Sequence, residues 1–350
     1  MKILITGNLG YVGPGVVGEF RKYYPDASLI GYDIGYFSQY VTNRNIIPDA
    51  GLTMQYYGDV RSFPDEILEG VDTVIGLAAI SNDPIGNRYE SPTLDINFKA
   101  IVDLALKAKN KGAKKFVFAS SCSVYGSAED KPRTEDSALN PLTAYAKSKI
   151  NAEIGLRPLA DKNFQITCLR FATACGMSDR LRLDLVLNDF VAGAIINKEI
   201  NILSDGTPWR PLIHVLDMAR AMRWAHERNG STGGDFVVVN AGSNAWNYQV
   251  KELANIVQEI MPEVKVSINK DAQPDKRSYR VNFDLFEKLA PNHQPKYDLK
   301  ASVYGLIHGL KAMEFKDSNY RNSNLMRLNV IQNLVKAGTI DQSLFLNQPQ

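Results

Sequence analysis

The sequence predicts an α/β fold: a doubly wound parallel sheet carrying a smaller mixed α/β lobe. Three observations lead there. Short apolar, β-branched runs alternate with amphipathic helical stretches as far as residue 171, the order that covers both faces of a parallel sheet with helices. A glycine-rich turn stands between the first of these runs and the first helix. Beyond residue 176 the alternation gives way to arginine-bearing loops, the mark of a second, less regular lobe.

Composition sets the outer bounds. A chain of 350 residues can bury a large core and form two lobes. A net charge of +2, with acids and bases interspersed, argues against a nucleic-acid surface and against an acidic disordered tail. Cys122, Cys168 and Cys175 form no CxxC pair, so neither a metal site nor dithiol redox chemistry is expected, and a reducing cytoplasm fits. No apolar run is long enough for a membrane span, and the chain enters a strand at Lys2 with no charged leader, so no membrane partner is expected.

Residues 2–6 (KILIT) form the first strand. Gly7, Gly10 and Gly13 follow in the spacing GxxGxxG, then a helix through Val16, Val17 and Phe20, with Pro14 tolerated in its first turn. Glycines permit the tight turn and close backbone approach, and amides at the helix N-terminus face negative charge. The segment Gly7, Gly10, Tyr11, Val12 and Gly13 is therefore a pyrophosphate cradle of Rossmann type. A second strand, residues 28–32, ends at Asp33, whose carboxylate can accept from both ribose hydroxyls of an adenosine and would repel a 2′-phosphate. No base follows until Arg44, so NAD is expected rather than NADP, with a solvated turn residue as the plain alternative for Asp33. Residues 53–57 and 73–77 are the third and fourth strands. The loop 80–92 offers Asn82 and Asp83 either to a ligand or to an Asx turn before Pro84. A helix from Asn97 buries Ile101, Leu104, Ala105 and Ala108.

The chemistry concentrates between residues 116 and 149. The strand 115–119 ends in serines, and a helix opened by Pro141 carries Tyr145 and Lys149 one turn apart on one face. Phenol, ammonium and the Ser121 hydroxyl can converge there, and a neighbouring cation favours ionisation of the phenol into a proton acceptor.

Ser121, the SVYG turn at residues 123–126, the YAKSK pair and the glycine spacing together resemble the extended short-chain dehydrogenase/reductase family, the sugar-nucleotide epimerases and dehydratases. The resemblance spans about residues 1–310. It implies Ser121, Tyr145 and Lys149 as catalytic residues, with Asn97, Tyr145 and Lys149 also on the cofactor side and Lys149 binding the nicotinamide ribose. It implies cofactor contacts at Asp59 and Val60 beside the adenine and at Leu77, Ala78 and Ala79 beside the chain of the dinucleotide. Asn97 is implied as a residue that helps place the lysine, and the helices bearing Asn97 and Tyr145 as a homodimer interface.

The same resemblance places a nucleotide-diphosphate sugar against Asn82, Ser121, Ser123, Thr173, Arg180, Asn188, Arg210 and Arg277. Thr173 stands where the family has an asparagine. Arg210 in DGTPWRPLIHV matches the family's phosphate-binding arginine without a gap, and Arg182 and Arg280 are further guanidinium groups in these segments, suited to bidentate contacts or to surface ion pairs. Residues 1–176 with about 213–241 are assigned to the NAD-binding domain, and about 177–212 with 242–350 to the substrate domain. His214 is read as structural, and the amphipathic helix of the tail, stopped by Gly338, as packing over the substrate lobe.

The expected reaction is epimerisation at C4 through a transient 4-keto sugar. A C4 dehydrogenase or ketoreductase would use the same triad. Dehydratases of the family carry an Asp-Glu pair after the catalytic hydroxyl residue, where this chain has Cys122 and Ser123, and 4,6-dehydration is accordingly disfavoured. A non-catalytic NAD-binding protein is the rival of another class, and would be expected to lose Tyr145 or Lys149.

Overall fold

Ile3, Leu4 and Ile5 are fully buried in consecutive positions, so the first strand must be covered on both faces and lies in the middle of a sheet. The computed structural model describes residues 1–43, 45–127, 131–269, 272 and 278–347; Arg277 and Arg44 fall outside them. The strands are β1 (Lys2–Thr6), β2 (Ser28–Asp33), β3 (Met54–Tyr57), β4 (Thr73–Gly76), β5 (Lys115–Ser121), β6 (Gln165–Phe171), β7 (Thr173–Cys175), β8 (Glu199–Ile202), β9 (Trp209–His214), β10 (Phe236–Ala241), β11 (Asn247–Gln249) and β12 (Lys265–Ile268). The helices are α1 (Gly13–Tyr23), α2 (Asp83–Arg88), α3 (Glu90–Leu94), α4 (Ala100–Asn110), α5 (Ala144–Leu156), α6 (Val186–Asn197), α7 (Val215–Glu227), α8 (Val250–Ile260), α9 (Asp284–Leu289), α10 (Leu299–Ala312) and α11 (Arg327–Lys336).

Seven strands in the order β10-β6-β5-β4-β1-β2-β3 form one sheet, and every neighbouring pair is parallel. This is the doubly wound Rossmann-type arrangement. Residues alternate between its two faces. Phe116 and Phe118 pack with Ile101 and Leu104 of α4 and Ala152 of α5, whereas Val117 and Ile5 pack with Val16 and Phe20 of α1 and Met222 of α7. The strand order reverses at β1, flanked by β2 and β4, and in open α/β sheets the crevice beyond the carboxyl ends at such a point is where ligands bind.

The smaller lobe gathers α6, α8 and α10 around a core that includes Leu187, Val191, Leu253, Val257, Val303 and Leu306. Two small sheets join it, β11-β9-β7 and the parallel pair β12-β8. Among the described residues no helix is long and apolar enough to cross a membrane.

Three local readings change. Loop 80–92 contains α2, because the Asn82 side chain caps it by accepting from the Ile85 amide at 2.9 Å and Pro84 sits in its first turn, where a missing N–H costs nothing. The helix expected from Asn97 is entered earlier, through α3 and a π-helical turn at Asp95–Lys99 that buries Asn97. The helix expected to open at Pro141 begins at Ala144 instead. Thr143 is its cap, with its hydroxyl accepting from the Ala146 amide at 3.2 Å and donating to Asp83 at 2.7 Å, so α2 and α5 start from one tie.

The tail departs from its expected place over the smaller lobe. Ile331, Ile340 and Leu344 join the core on the α4 side of the large sheet with Tyr36, Val60 and Ile80. Arg61 fixes the far end, donating to the carbonyls of Ser343 (2.7 Å) and Leu344 (2.6 Å) while lying 3.4 Å from the centroid of the Phe345 ring. Tyr36 also donates to the Leu344 carbonyl.

His214 caps α7 through Nδ1, which accepts from the Leu216 amide at 3.2 Å, and stacks on Tyr297. His226 meets Thr73 Oγ1 at 3.0 Å beneath Phe20 and Tyr24. Burial pushes both imidazoles down to about 4. The unfolded chain takes up protons at these rings near pH 6.5, so the stability they contribute is full above that pH and is lost as pH falls through about 4. A His226→Gln variant should therefore lose chemical-denaturation midpoint less steeply than wild type on acidification from pH 6.5; an unchanged slope would refute the assignment.

Candidate active site

One cavity of about 750 Å³ opens at the carboxyl ends of β1, β4 and β5 and runs from Asp33 and Asp59 past Gly7 and Ala78 to Lys149 and on to Arg210. Its floor is the glycine turn. Gly7 has φ +75°, and a Cβ there would lie 2.5 Å from the Ala78 nitrogen; at Gly13 a Cβ would lie 1.9 Å from the Asn8 carbonyl oxygen. Side chains are excluded by both contacts, and the first turn of α1, with Val12 at its N-cap, is left facing the cavity with its partial positive charge. Gly7, Gly10, Tyr11, Val12, Leu77, Ala78 and Ala79 all line this space, and Gly13 closes the turn behind them.

Asp33 accepts from the amides of Leu9 (3.1 Å) and Gly35 (2.8 Å), which hold its carboxylate at the cavity edge. Burial raises its pKa, partly countered by these amides and by Arg180 nearby. Its acceptor capacity is not exhausted by two amides, so two ribose hydroxyls can still be met. Asp59 and Val60 also line the cavity, but the Asp59 carboxylate is gripped by Arg61 through Nε at 3.0 Å and Nη2 at 2.5 Å. Asp59 thus anchors Arg61 and through it the tail. Asn97 lies away from the cavity, accepting from the Ile80 amide at 2.8 Å and donating to Ser148 Oγ at 3.1 Å. It fixes the residue beside Lys149 rather than Lys149 itself.

At the end of β5 the alternation of side chains decides the chemistry. Ser120 turns under the sheet to Glu153 (2.5 Å), which is paired with Arg170 at 2.7 Å. Cys122 is fully buried and its Sγ donates to the Arg170 carbonyl at 3.1 Å. Ser121 and Ser123 line the cavity. The Ser121 hydroxyl accepts from the Ser123 amide at 3.1 Å, and the Ser123 hydroxyl is buried with no partner among the described residues.

Tyr145 and Lys149 stand on the same wall. Burial pushes the Tyr145 phenol up to about 12, and a hydrogen bond with Ser121 works against the rise. Lys149 stands one turn further along α5. Its ammonium donates to the Ala119 carbonyl at 2.7 Å and lies 5.5 Å from the Tyr145 ring centroid, and burial pushes its own pKa down to about 7. The expected activation of phenol by ammonium is thus opposed by the desolvation of both groups.

Thr173 and Arg210 line the far end, with the Arg210 Nη1 donating to the Trp209 carbonyl at 2.8 Å. Arg182 also lines the cavity, close to Tyr11, Tyr145 and Arg327, gripping Asp184 (2.6 and 2.9 Å) and donating to Ser81 at 2.9 Å, while Asn82 donates to Asp184 at 2.6 Å. Two expected contacts are not at the cavity. Arg180 turns to the loop after β2, donating to the Phe37 and Ser38 carbonyls and to Asp49 at 2.6 Å. Asn188 is fully buried, accepting from the Gly176 amide and donating to the Arg182 carbonyl and the Tyr11 hydroxyl, so it braces the wall. Tyr279 and Arg327 line the cavity without having been singled out. Tyr279, Val281 and Phe283 alternate and are all buried, a period-2 signal that was open to reading.

Comparison with known proteins follows the same outline. The model of the NAD dependent epimerase/dehydratase family matches residues 3–241. The chain is 26% identical over 278 residues to the UDP-glucose 4-epimerase of Corynebacterium glutamicum, covering 74% of this chain and 80% of that one. Among solved structures, MoeE5 in complex with UDP-glucuronic acid and NAD has a TM-score of 0.75 at 23% identity, over 89% of this chain and 99% of MoeE5. TunA, an NAD dependent NDP-hexosamine 5,6-dehydratase of tunicamycin biosynthesis, has a TM-score of 0.76 at 21% identity, over 89% and 98%. The likeness to both structures is one of fold.

Lys149 gives this site a measurable cost. With its pKa held near 7 in the folded chain against an ordinary 10.5, the unfolded chain binds more protons between those values, so the penalty is full below pH 7 and is relieved as pH rises towards 10.5. Lys149→Met should raise the thermal unfolding midpoint at pH 7, with the gain shrinking at alkaline pH. A variant less stable than wild type at pH 7 would show that the lysine stabilises the fold.

Proposed function

Because the chain belongs to the NAD dependent epimerase/dehydratase family, we propose that it inverts C4 of a nucleotide-diphosphate sugar through a transient 4-keto sugar. The observation that supports this outcome within the family is the orientation around Ser121. Tyr145 and Ser121 share the cavity wall, while Cys122, one of the two positions where dehydratases carry their acids, is turned into the core.

The glycine cradle, Asp33 and the wall of Leu77, Ala78 and Ala79 suit NAD, and Asp33 selects against a 2′-phosphate by charge. When bound, NAD supplies the acceptor and then the donor of hydride for the sugar carbon. Tyr145 accepts the proton of the C4 hydroxyl and later returns it. Ser121 donates a hydrogen bond to the same oxygen, holding it while it becomes a carbonyl. A buried phenolate needs a compensating cation, and Lys149 is within reach for that role. The unpartnered Ser123 hydroxyl offers a further hydrogen bond to the sugar, and Thr173, Arg182 and Arg210 offer contacts around its diphosphate.

A dehydrogenase or ketoreductase on this frame would exchange its coenzyme every turnover. The tail fastened at Arg61 and Tyr36, beside the adenosine end, favours a retained coenzyme and hence the redox-neutral outcome. The proposal includes a homodimer across α4 and α5, where Leu106 and Ile154 are exposed apolar side chains.

The test is a panel of nucleotide sugars, beginning with UDP-glucose and UDP-galactose, followed by product separation, mass and absorbance. Isomer formation at constant mass without NADH release is expected. Continuous NADH release would mean a dehydrogenase, and loss of water a dehydratase. Tyr145→Phe should lower kcat on the order of 10²–10⁴-fold, the usual worth of a positioned base; a smaller loss would remove the phenol from the mechanism.

A further inference from the structure

Arg327 is a buried cation with no ion pair among the described residues, Asp184 acting on it only from its own pair with Arg182. It is 2% exposed, lines the cavity, and lies in the first turn of α11, beyond the residues the family model matches. Its Nη2 donates to the Arg180 carbonyl at 3.0 Å, its guanidinium lies 4.4 Å from the Phe37 ring centroid, and its Nη1 has no hydrogen-bond partner among the described residues.

Three features of the surroundings disfavour a positive charge there. The helix N-terminus already carries partial positive charge. Arg182 and Arg180 are close enough to repel it, and burial first, then these two, push its pKa down to about 9 against the opposing pull of Asp184. The carboxylates of Asp49 and Asp184 are taken by Arg180 and Arg182 respectively. Leaving a guanidinium donor unmet in such a place is costly unless a ligand anion completes it.

We infer that Arg327 binds the pyrophosphate of the dinucleotide, closing from the tail side the cradle that the glycine turn forms from below. The inference rests on the coenzyme reading. Two diphosphates can enter this cavity, and position favours the dinucleotide's. Phe37, on which Arg327 lies, is four residues past Asp33, and Arg180, whose carbonyl it holds, grips that same loop. Arg210 lies on β9, the strand paired with the one that carries Thr173.

Calorimetry on the whole 350-residue chain, freed of copurifying nucleotide, separates the possibilities with two probes: ADP-ribose, which carries the dinucleotide's pyrophosphate, and UDP, which carries the sugar donor's diphosphate. Arg327→Met should weaken ADP-ribose on the order of tenfold to a hundredfold, the worth of one charge-assisted contact, and leave UDP unchanged. The ligand-free variant should unfold at the same or a higher temperature than wild type, since an uncompensated buried charge has been removed. Unchanged ADP-ribose affinity, or a loss confined to UDP, overturns the assignment. Should Arg327→Met fail to fold, Arg327→Lys keeps the charge without the planar fork, and equal ADP-ribose affinity in that variant and wild type would overturn it likewise. Wild type that binds no ADP-ribose would sink the coenzyme reading itself, a result distinct from a variant that binds as well as wild type.

Discussion

The site depends on the close approach of two backbones. With φ of +75° at Gly7 and only 2.5 Å between its missing Cβ and the Ala78 nitrogen, the loops after β1 and β4 touch directly. Leu77 continues the ladder into that contact, its amide donating to the Thr6 carbonyl at 3.0 Å. Any side chain at Gly7 would force the two strand ends apart at the point where the sheet order reverses. The crevice, the cradle and the distance from Asp33 to Lys149 are all set by that contact. The candidate groups on β5 and α5 inherit their positions from it, because β5 pairs with β4 in register from Thr73 opposite Lys115.

A second constraint is electrostatic. The pocket brings Tyr145 and Lys149 into an apolar wall of Phe118, Ala119 and Ala79, where neither charged form is favoured. Burial raises the phenol and lowers the ammonium, so the resting pair is closer to neutral than its sequence suggests. That is a stability cost carried for function: the same two groups replaced by apolar ones would suit the core better. Ser121, whose hydrogen bond works against the rise at Tyr145, acts on the ionisation as well as filling the role proposed for it toward the substrate.

What could be read in advance follows from how local each signal is. Strands such as residues 2–6 and 164–171 declare themselves by runs of β-branched and apolar residues, and Ser121, Tyr145 and Lys149 by a spacing confined to one strand end and one helix turn. Capping signals were legible too, yet Asn82 before Pro84 serves a turn and a helix start equally well, and only the tertiary tie to α5 through Thr143 and Asp83 decides for the helix. Arginines carry the least advance information. A guanidinium reads as a phosphate clamp anywhere in such a lobe, but Arg180 finds its partners 131 to 143 residues away at Asp49 and Phe37. No rule of spacing reaches that far. Arg277 lies outside the described residues, and its expected role stays with the sequence.

The C-terminal segment shows how an extension can change a fold's economy without touching the reacting atoms. Met326 and Arg327 line the cavity, Ile331 and Leu344 are buried against the large sheet, and Arg61 ties residues 343 and 344 to the Asp59 carboxylate. An enzyme that returns its hydride within each turnover gains nothing by releasing the dinucleotide, whereas one that passes electrons onward must let it go. If the proposed epimerase reading holds, a closure made of a buried guanidinium, an apolar helix face and residues 343 and 344 tied to Arg61 would slow exchange of the coenzyme on the tail side and leave the side near Arg210 and Thr173 to the sugar. On that reading, retention of coenzyme and access of substrate fall to different parts of one cavity.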